Sequence, residues 1–184
     1  MKTYKIGVLV GSLRTESFNK KIAKAFVDLA PSNFEFEFIA IGDLAHYSED
    51  CETDVPQAWT TFRKQIASKD AFLFVTPEYN RSVPSALKNA LDVASRPWGQ
   101  NLWDGKPGAV ISSSIGAIGG FGANHHLRQS LVFLNVPTMQ QPEAYIGNTA
   151  SLFDESGNLI NDRTKESLEA FGKAFLAWVE KQLS

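Results

Sequence analysis

The sequence predicts a three-layer α/β fold, a five-stranded parallel sheet of order 2-1-3-4-5 with helices on both faces. Three observations predict it. Strand-like and helix-like segments alternate along the chain. The first and third strands, at residues 6–10 and 71–75, are wholly apolar, as strands covered on both faces must be. The second, at 34–39, alternates Phe with Glu until its end and reads as a half-exposed edge strand. Right-handed crossovers then place helices on both faces.

The remaining elements follow from local pattern. Residues 17–30 read as a helix, because Ile22, Phe26, Leu29 and Ala30 fall on one face. The acidic stretch 42–55 has no periodicity and reads as a loop, of a length that is often functional or mobile. Pro56 stands near the first turn of a helix carrying Trp59, Phe62 and Ile66 on one side. Pro84 opens another, with Leu87, Ala90, Leu91 and Ala94 spaced for one face. A loop at 96–107 holds Trp98 and Trp103 and leads to a strand at 108–112. A helix from about residue 123 carries Leu127, Leu131 and Leu134, and a fifth strand lies near 143–146. The last helix, from about residue 163, buries Leu168, Phe171, Phe175, Trp178 and Val179. No shift of composition, repeat or low-complexity segment interrupts the chain, so one domain is expected over residues 1–184.

Composition narrows the function. The chain has 184 residues, 43% hydrophobic and 21% charged, which is the profile of a soluble globular protein. A net charge of -2 argues against nucleic acid as a partner, since phosphate-backbone binders carry a basic surplus. No segment approaches a membrane span, and the start of the chain lacks the apolar run of a signal peptide, so the expected location is the cytoplasm. The single cysteine, Cys51, cannot form an internal disulfide and lies among Glu49, Asp50, Glu52 and Asp54. Those acids disfavour a reactive thiolate.

In an open α/β sheet, ligands bind beyond the carboxyl ends of the strands, where the strand order reverses. For this order, the loops after strands one, three and four form that rim. The first runs from Gly11 to Asn19 and joins a buried strand to a helix N-terminus, whose free N–H groups suit a phosphate. Ser12, Ser17 and Asn19 add neutral donors, and Arg14 adds a forked cation. Equally, Ser17 can simply cap the helix while Arg14 stays solvated. Neither a Walker-type Gly-x-x-x-x-Gly-Lys-[Ser/Thr] nor a Gly-x-Gly-x-x-Gly is present after strand one. The loop suits a terminal phosphate monoester such as that of FMN.

The second loop is Thr76-Pro77-Glu78-Tyr79-Asn80. Its backbone N–H groups and Asn80 can meet the carbonyl and N–H edge of an isoalloxazine, and Tyr79 offers a face for stacking. Pro and Asn are also common turn formers. The third loop holds three serines, then Gly116, Gly119, Gly120 and Gly122. Ser113 can reach a flavin from the strand end, and the glycines allow close backbone approach. A flexible linker is the other reading.

Taken together these segments resemble the NAD(P)H-dependent FMN reductases, a family that includes chromate, quinone and azo-dye reductases. Gly11-Ser12-Leu13-Arg14-x-x-Ser17-Phe18-Asn19 is similar to the family's phosphate loop. Thr76 to Asn80, followed by Ser82-Val83-Pro84 and Leu87-Lys88-Asn89-Ala90, resembles its isoalloxazine loop and helix. Gly105-Lys106-Pro107, Gly119-Gly120 and His126-Leu127-Arg128 extend the likeness, which runs from residue 11 to about residue 134. The strongest likeness is to the bacterial chromate and quinone reductases. Arg81 departs from relatives that carry an aromatic residue there.

The resemblance implies a flavodoxin-like fold that binds FMN through Ser12, Arg14, Ser17, Phe18, Asn19, Pro77, Glu78, Tyr79 and Asn80, with Ser113 nearby. It implies NAD(P)H as electron donor, a quinone or similar small molecule as acceptor, and ping-pong hydride transfer. The flavin carries that chemistry, so no side chain is assigned as catalytic. Two other functions compete: a reductase that releases reduced FMN to another enzyme, and a flavin sensor or carrier without turnover. His46, His125 and His126 do not form a metal motif, because adjacent helical residues point in different directions. The resemblance also implies a homodimer or homotetramer. Trp98, Trp103, Phe121 and Phe133 are candidates for its aromatic anchors and equally for the core.

Overall fold

Alternate residues of each central strand point to opposite faces of the sheet, and this sorts the apolar side chains into two cores. A computed structural model describes residues 2–184. Its strands are β1 (Tyr4–Val10), β2 (Phe34–Phe38), β3 (Ala71–Thr76), β4 (Gly108–Ser113) and β5 (Ala144–Ile146). They pair in parallel in the order β2-β1-β3-β4-β5. The helices are α1 (Phe18–Leu29), α2 (Gln57–Ala67), α3 (Ser85–Ser95), α4 (Phe121–Phe133) and α5 (Asp162–Gln182).

One core joins Ile6, Val8, Leu73, Val75 and Ile111 to Ile22 and Phe26 of α1 and to Phe171 and Phe175 of α5. The other joins Leu9, Phe72, Phe74 and Val110 to side chains of α2, α3 and α4. This is the flavodoxin-like arrangement the alternation predicts. Every residue of β3 and β4 is buried, whereas β2 loses cover along its length, from Phe34 at 8% exposed to Phe38 at 45%. The Phe/Glu alternation of β2 is therefore that of an edge strand.

Two elements depart from their expected bounds. The fourth helix begins at Phe121 instead of about residue 123, because Gly120 adopts left-handed backbone (φ 75°) and turns the chain into the helix early. The acidic stretch 42–55 contains a short 3-10 helix, Glu49–Glu52, and side chains fasten it to the body. Asn89 donates to the carbonyls of Leu44 and Ala45, and Trp59 Nε1 also donates to Ala45.

The aromatic residues divide sharply. Trp103 is fully buried, packs edge-on to Phe72 with ring centres 4.8 Å apart, and donates from Nε1 to the Leu91 carbonyl. Burial of a large apolar side chain contributes about 1.5–3 kcal/mol, so Trp103 is a core residue. Trp98 and Phe133 are 79% and 80% exposed, and Phe121 is 48% exposed.

Candidate cofactor site

The parallel sheet carries the ends of β1, β3 and β4 to one rim, and the three singled-out loops meet there. They line one cleft of 260 Å³. Nine of the expected residues line it: Ser12, Arg14, Ser17, Phe18, Asn19, Pro77, Glu78, Tyr79 and Ser113. Asn80 does not; it occupies the left-handed position (φ 50°) of the turn just beyond Tyr79.

The first loop is shaped by the entry to α1. Ser17 is the N-cap, with extended backbone, and its Oγ accepts the Lys20 N–H at 3.3 Å. The first turn of α1 holds no acidic residue, so the positive end of the helix is not neutralised there. Ser12, Ser17 and Asn19 are all buried. Among the described residues Arg14 forms no salt bridge. Helix cap and anion donor are therefore compatible roles for Ser17, because its hydroxyl hydrogen is not used in capping.

The second loop folds back on itself. Tyr79 and Ser82 exchange backbone hydrogen bonds of 3.1 and 2.9 Å across a two-residue turn in which Asn80 and Arg81 both have positive φ. Left-handed backbone at two successive non-glycine residues costs on the order of 1 kcal/mol or more each and persists only where neighbours impose it. Tyr79, 49% exposed, stands at the mouth of the cleft.

The third loop packs against the end of β5. A Cβ on Gly119 (φ 64°) would lie 2.6 Å from the Tyr145 carbonyl carbon, so only glycine allows this approach. The loop brings Ser114 and Ile115 to the cleft, and the segment after β5 brings Thr149. Sequence reasoning missed these three. Ser114 and Ile115 lay within a serine- and glycine-rich loop already singled out, but Thr149 carried no local signal.

Three buried oxygens of cleft-lining residues have no hydrogen-bond partner among the described residues: Asn19 Oδ1, Ser113 Oγ and Thr149 Oγ1. Buried polar atoms are rarely left unpaired, and here they converge on one concave site. Two hydroxyls able to donate, an amide oxygen able to accept and a free guanidinium suit a ligand with phosphate, hydroxyl and carbonyl groups. FMN has all three, so the residues present fit it.

The histidines serve other contacts. His125 Nε2 lies 3.0 Å from the Tyr145 hydroxyl, and His126 Nδ1 lies 3.0 Å from Ser82 Oγ. Tyr145 is pushed up to about 12, first by burial and then by its hydrogen bond to Glu143. Among the described residues no group of three or more His, Cys, Asp or Glu side chains is placed to hold a metal, and no helix is long and apolar enough to cross a membrane.

Strand order, crossover pattern and cleft position define a flavodoxin-like α/β protein with a cleft at the reversal of strand order, where such folds bind their ligands. The family of NADPH-dependent FMN reductases matches residues 4–151. The chain belongs to that family of oxidoreductases. It is 59% identical over 180 residues to a quinone reductase of Pseudomonas putida, covering 97% of this chain and 96% of the relative. It is 51% identical to a 2-hydroxy-1,4-benzoquinone reductase of Burkholderia sp, covering 95% and 96%. Among solved structures it is similar to FerB, the flavoenzyme NAD(P)H:(acceptor) oxidoreductase of Paracoccus denitrificans. The TM-score is 0.92 at 42% identity, covering 98% of this chain and 99% of that one.

Proposed function

We propose that this chain is an NAD(P)H-dependent quinone reductase that holds FMN in the cleft at the ends of β1, β3 and β4. The observation that carries this reading is the set of unpaired oxygens on Asn19, Ser113 and Thr149, gathered beside Arg14 in one cleft. Bound there, FMN would supply the chemistry, hydride and electron transfer between NAD(P)H and the acceptor.

The chain's own residues bind and orient. Ser12, Ser17, Arg14 and the Asn19 amide nitrogen, with the backbone amides opening α1, would hold the terminal phosphate as a charge-assisted hydrogen-bond set, and Asn19 Oδ1 would accept from a hydroxyl or N–H of the bound group. The Pro77–Asn80 backbone would meet the ring, and the unpaired Ser113 and Thr149 hydroxyls would donate to the bound group. Tyr79 and Ile115, both exposed, form an apolar rim against which a planar acceptor packs. The site sits in a single domain of cytoplasmic setting. The protein assembles as a homodimer or homotetramer. Trp98 and Phe133, which share one surface depression, supply an exposed apolar patch for that contact.

The visible spectrum of the purified protein tests the reading. Bands in the blue and near ultraviolet should bleach on adding NADPH under argon and return on adding a quinone. A colourless protein that binds no added FMN, or a coloured one that consumes no NADPH with any of several quinones, would overturn it. Retention of the flavin through gel filtration separates this function from delivery of free reduced FMN.

A further inference from the structure

The Glu78 carboxylate is held at both oxygens. Oε2 accepts the backbone N–H of Ala123 at 3.1 Å, in the first turn of α4. Oε1 accepts from Arg81 Nη1 at 3.1 Å. The Glu78 side chain is 12% exposed, although it lies in a surface loop. The two contacts complement each other. Helix α4 starts after Gly120, which has no side chain to cap it, and its first turn contains no acid. Glu78 provides the missing anion from across the cleft rim. Gly122 leaves room for it: a Cβ there would lie 2.9 Å from Glu78 Oε2 and 3.0 Å from the Arg81 carbonyl oxygen. One turn further along α4, His126 reaches Ser82 Oγ at 3.0 Å.

These contacts bracket the turn from Tyr79 to Ser82, whose two central residues hold left-handed backbone without being glycine. Such a turn needs outside support. Glu78 supports it at the entry, Ser82 and His126 at the exit, and both supports stand on the same rigid helix. We propose that Glu78 is a positioning residue: its carboxylate, clamped between the Ala123 amide and the Arg81 guanidinium, fixes the Tyr79–Ser82 turn as the edge of the cleft that receives the flavin ring. The proposal rests on the flavin reading above, and it assigns the Glu78 side chain to the loop's geometry instead of to direct contact with the ring.

The test uses the full chain titrated with FMN and with riboflavin, which keeps the ring and lacks the phosphate. Glu78→Gln retains an acceptor for the Ala123 amide and loses the charge that holds Arg81. It is expected to weaken both ligands by about threefold, the scale of one partly exposed ion pair. It should also alter the circular dichroism of the bound flavin's visible bands. Arg14→Ala is expected to weaken FMN alone. Wild-type affinity and an unchanged flavin spectrum in Glu78→Gln, with a lowered melting temperature, would show that Glu78 only caps the helix and would overturn the proposal. If Glu78→Gln does not fold, Gly122→Ala displaces the carboxylate by its added methyl group and should cause the same loss for both ligands. Undiminished binding of both by that variant would equally overturn it. Failure of the wild-type chain to bind either ligand would instead remove the flavin reading itself.

Discussion

The backbone N–H of Tyr47 donates to Asn89 Oδ1 at 2.8 Å, bridging 42 residues of chain. The Asn89 amide nitrogen returns two bonds, to Leu44 at 3.2 Å and to Ala45 at 3.1 Å. One nearly buried side chain on α3 thus closes the acidic 42–55 segment over the second core. Asn89→Ala should lower stability by about 1–2 kcal/mol, because part-buried backbone groups of Leu44 and Tyr47 lose their partners. Urea denaturation would measure the loss, and limited proteolysis should show new cleavage within 42–55. An unchanged midpoint would mean that Trp59 alone holds the segment.

The two tryptophans of the 96–107 loop should respond oppositely. Trp103→Ala leaves a large cavity beside Phe72 and Phe74 and should cost about 3–5 kcal/mol. Trp98→Ala, at a side chain 79% exposed, should change the stability of the fold by less than about 0.5 kcal/mol. Thermal unfolding of both variants checks the contrast, and equal effects would contradict this division of burial.

Arg14→Ala should weaken FMN binding by roughly 10- to 100-fold, since a hydrogen bond to a charged group contributes about 1.5–3 kcal/mol. The fluorescence of FMN released on dilution reads this directly. Unaltered affinity would place Arg14 outside the phosphate contacts.

A pH dependence is expected at the sheet edge. The Glu37 carboxyl is held below its usual value, first by the hydrogen bond from Lys69 and then by that from Gln65. A lowered folded-state value means that the contribution is complete above the unfolded value of about 4.3 and fades as pH falls through the folded value. Glu37 is 45% exposed, so after solvent screening the contribution stays below about 1 kcal/mol. The stability gap between wild type and Glu37→Gln should be small at pH 7 and shrink as pH falls below about 4.3, the unfolded value. A gap that widens on acidification would show the sign to be wrong.

Much of the site was legible because its residues lie within short stretches at predictable places. Once strands one, three and four are recognised, Ser12 to Asn19, Pro77 to Tyr79 and Ser113 must converge at their carboxyl ends. Thr149 was not legible. It enters the cleft through the segment after β5, a strand of three residues that pairs only at the last residues of β4. Glu78 was legible as a rim residue, but its contact with Ala123 was not, because that contact spans 45 positions.

The sequence by itself determined the alternation of strands and helices, the edge character of β2 and the three loops at the cleft rim. Periodicity and turn chemistry act between neighbours along the chain, so they can be read there. Only the tertiary structure decided that Trp103 is core while Trp98 faces solvent, that Asn80 is not among the residues lining the cleft, and that Asn89, Glu78 and Thr149 hold the places they do. Those outcomes depend on partners far apart in sequence, and packing brings such partners together only when the whole sheet and its helices are in register.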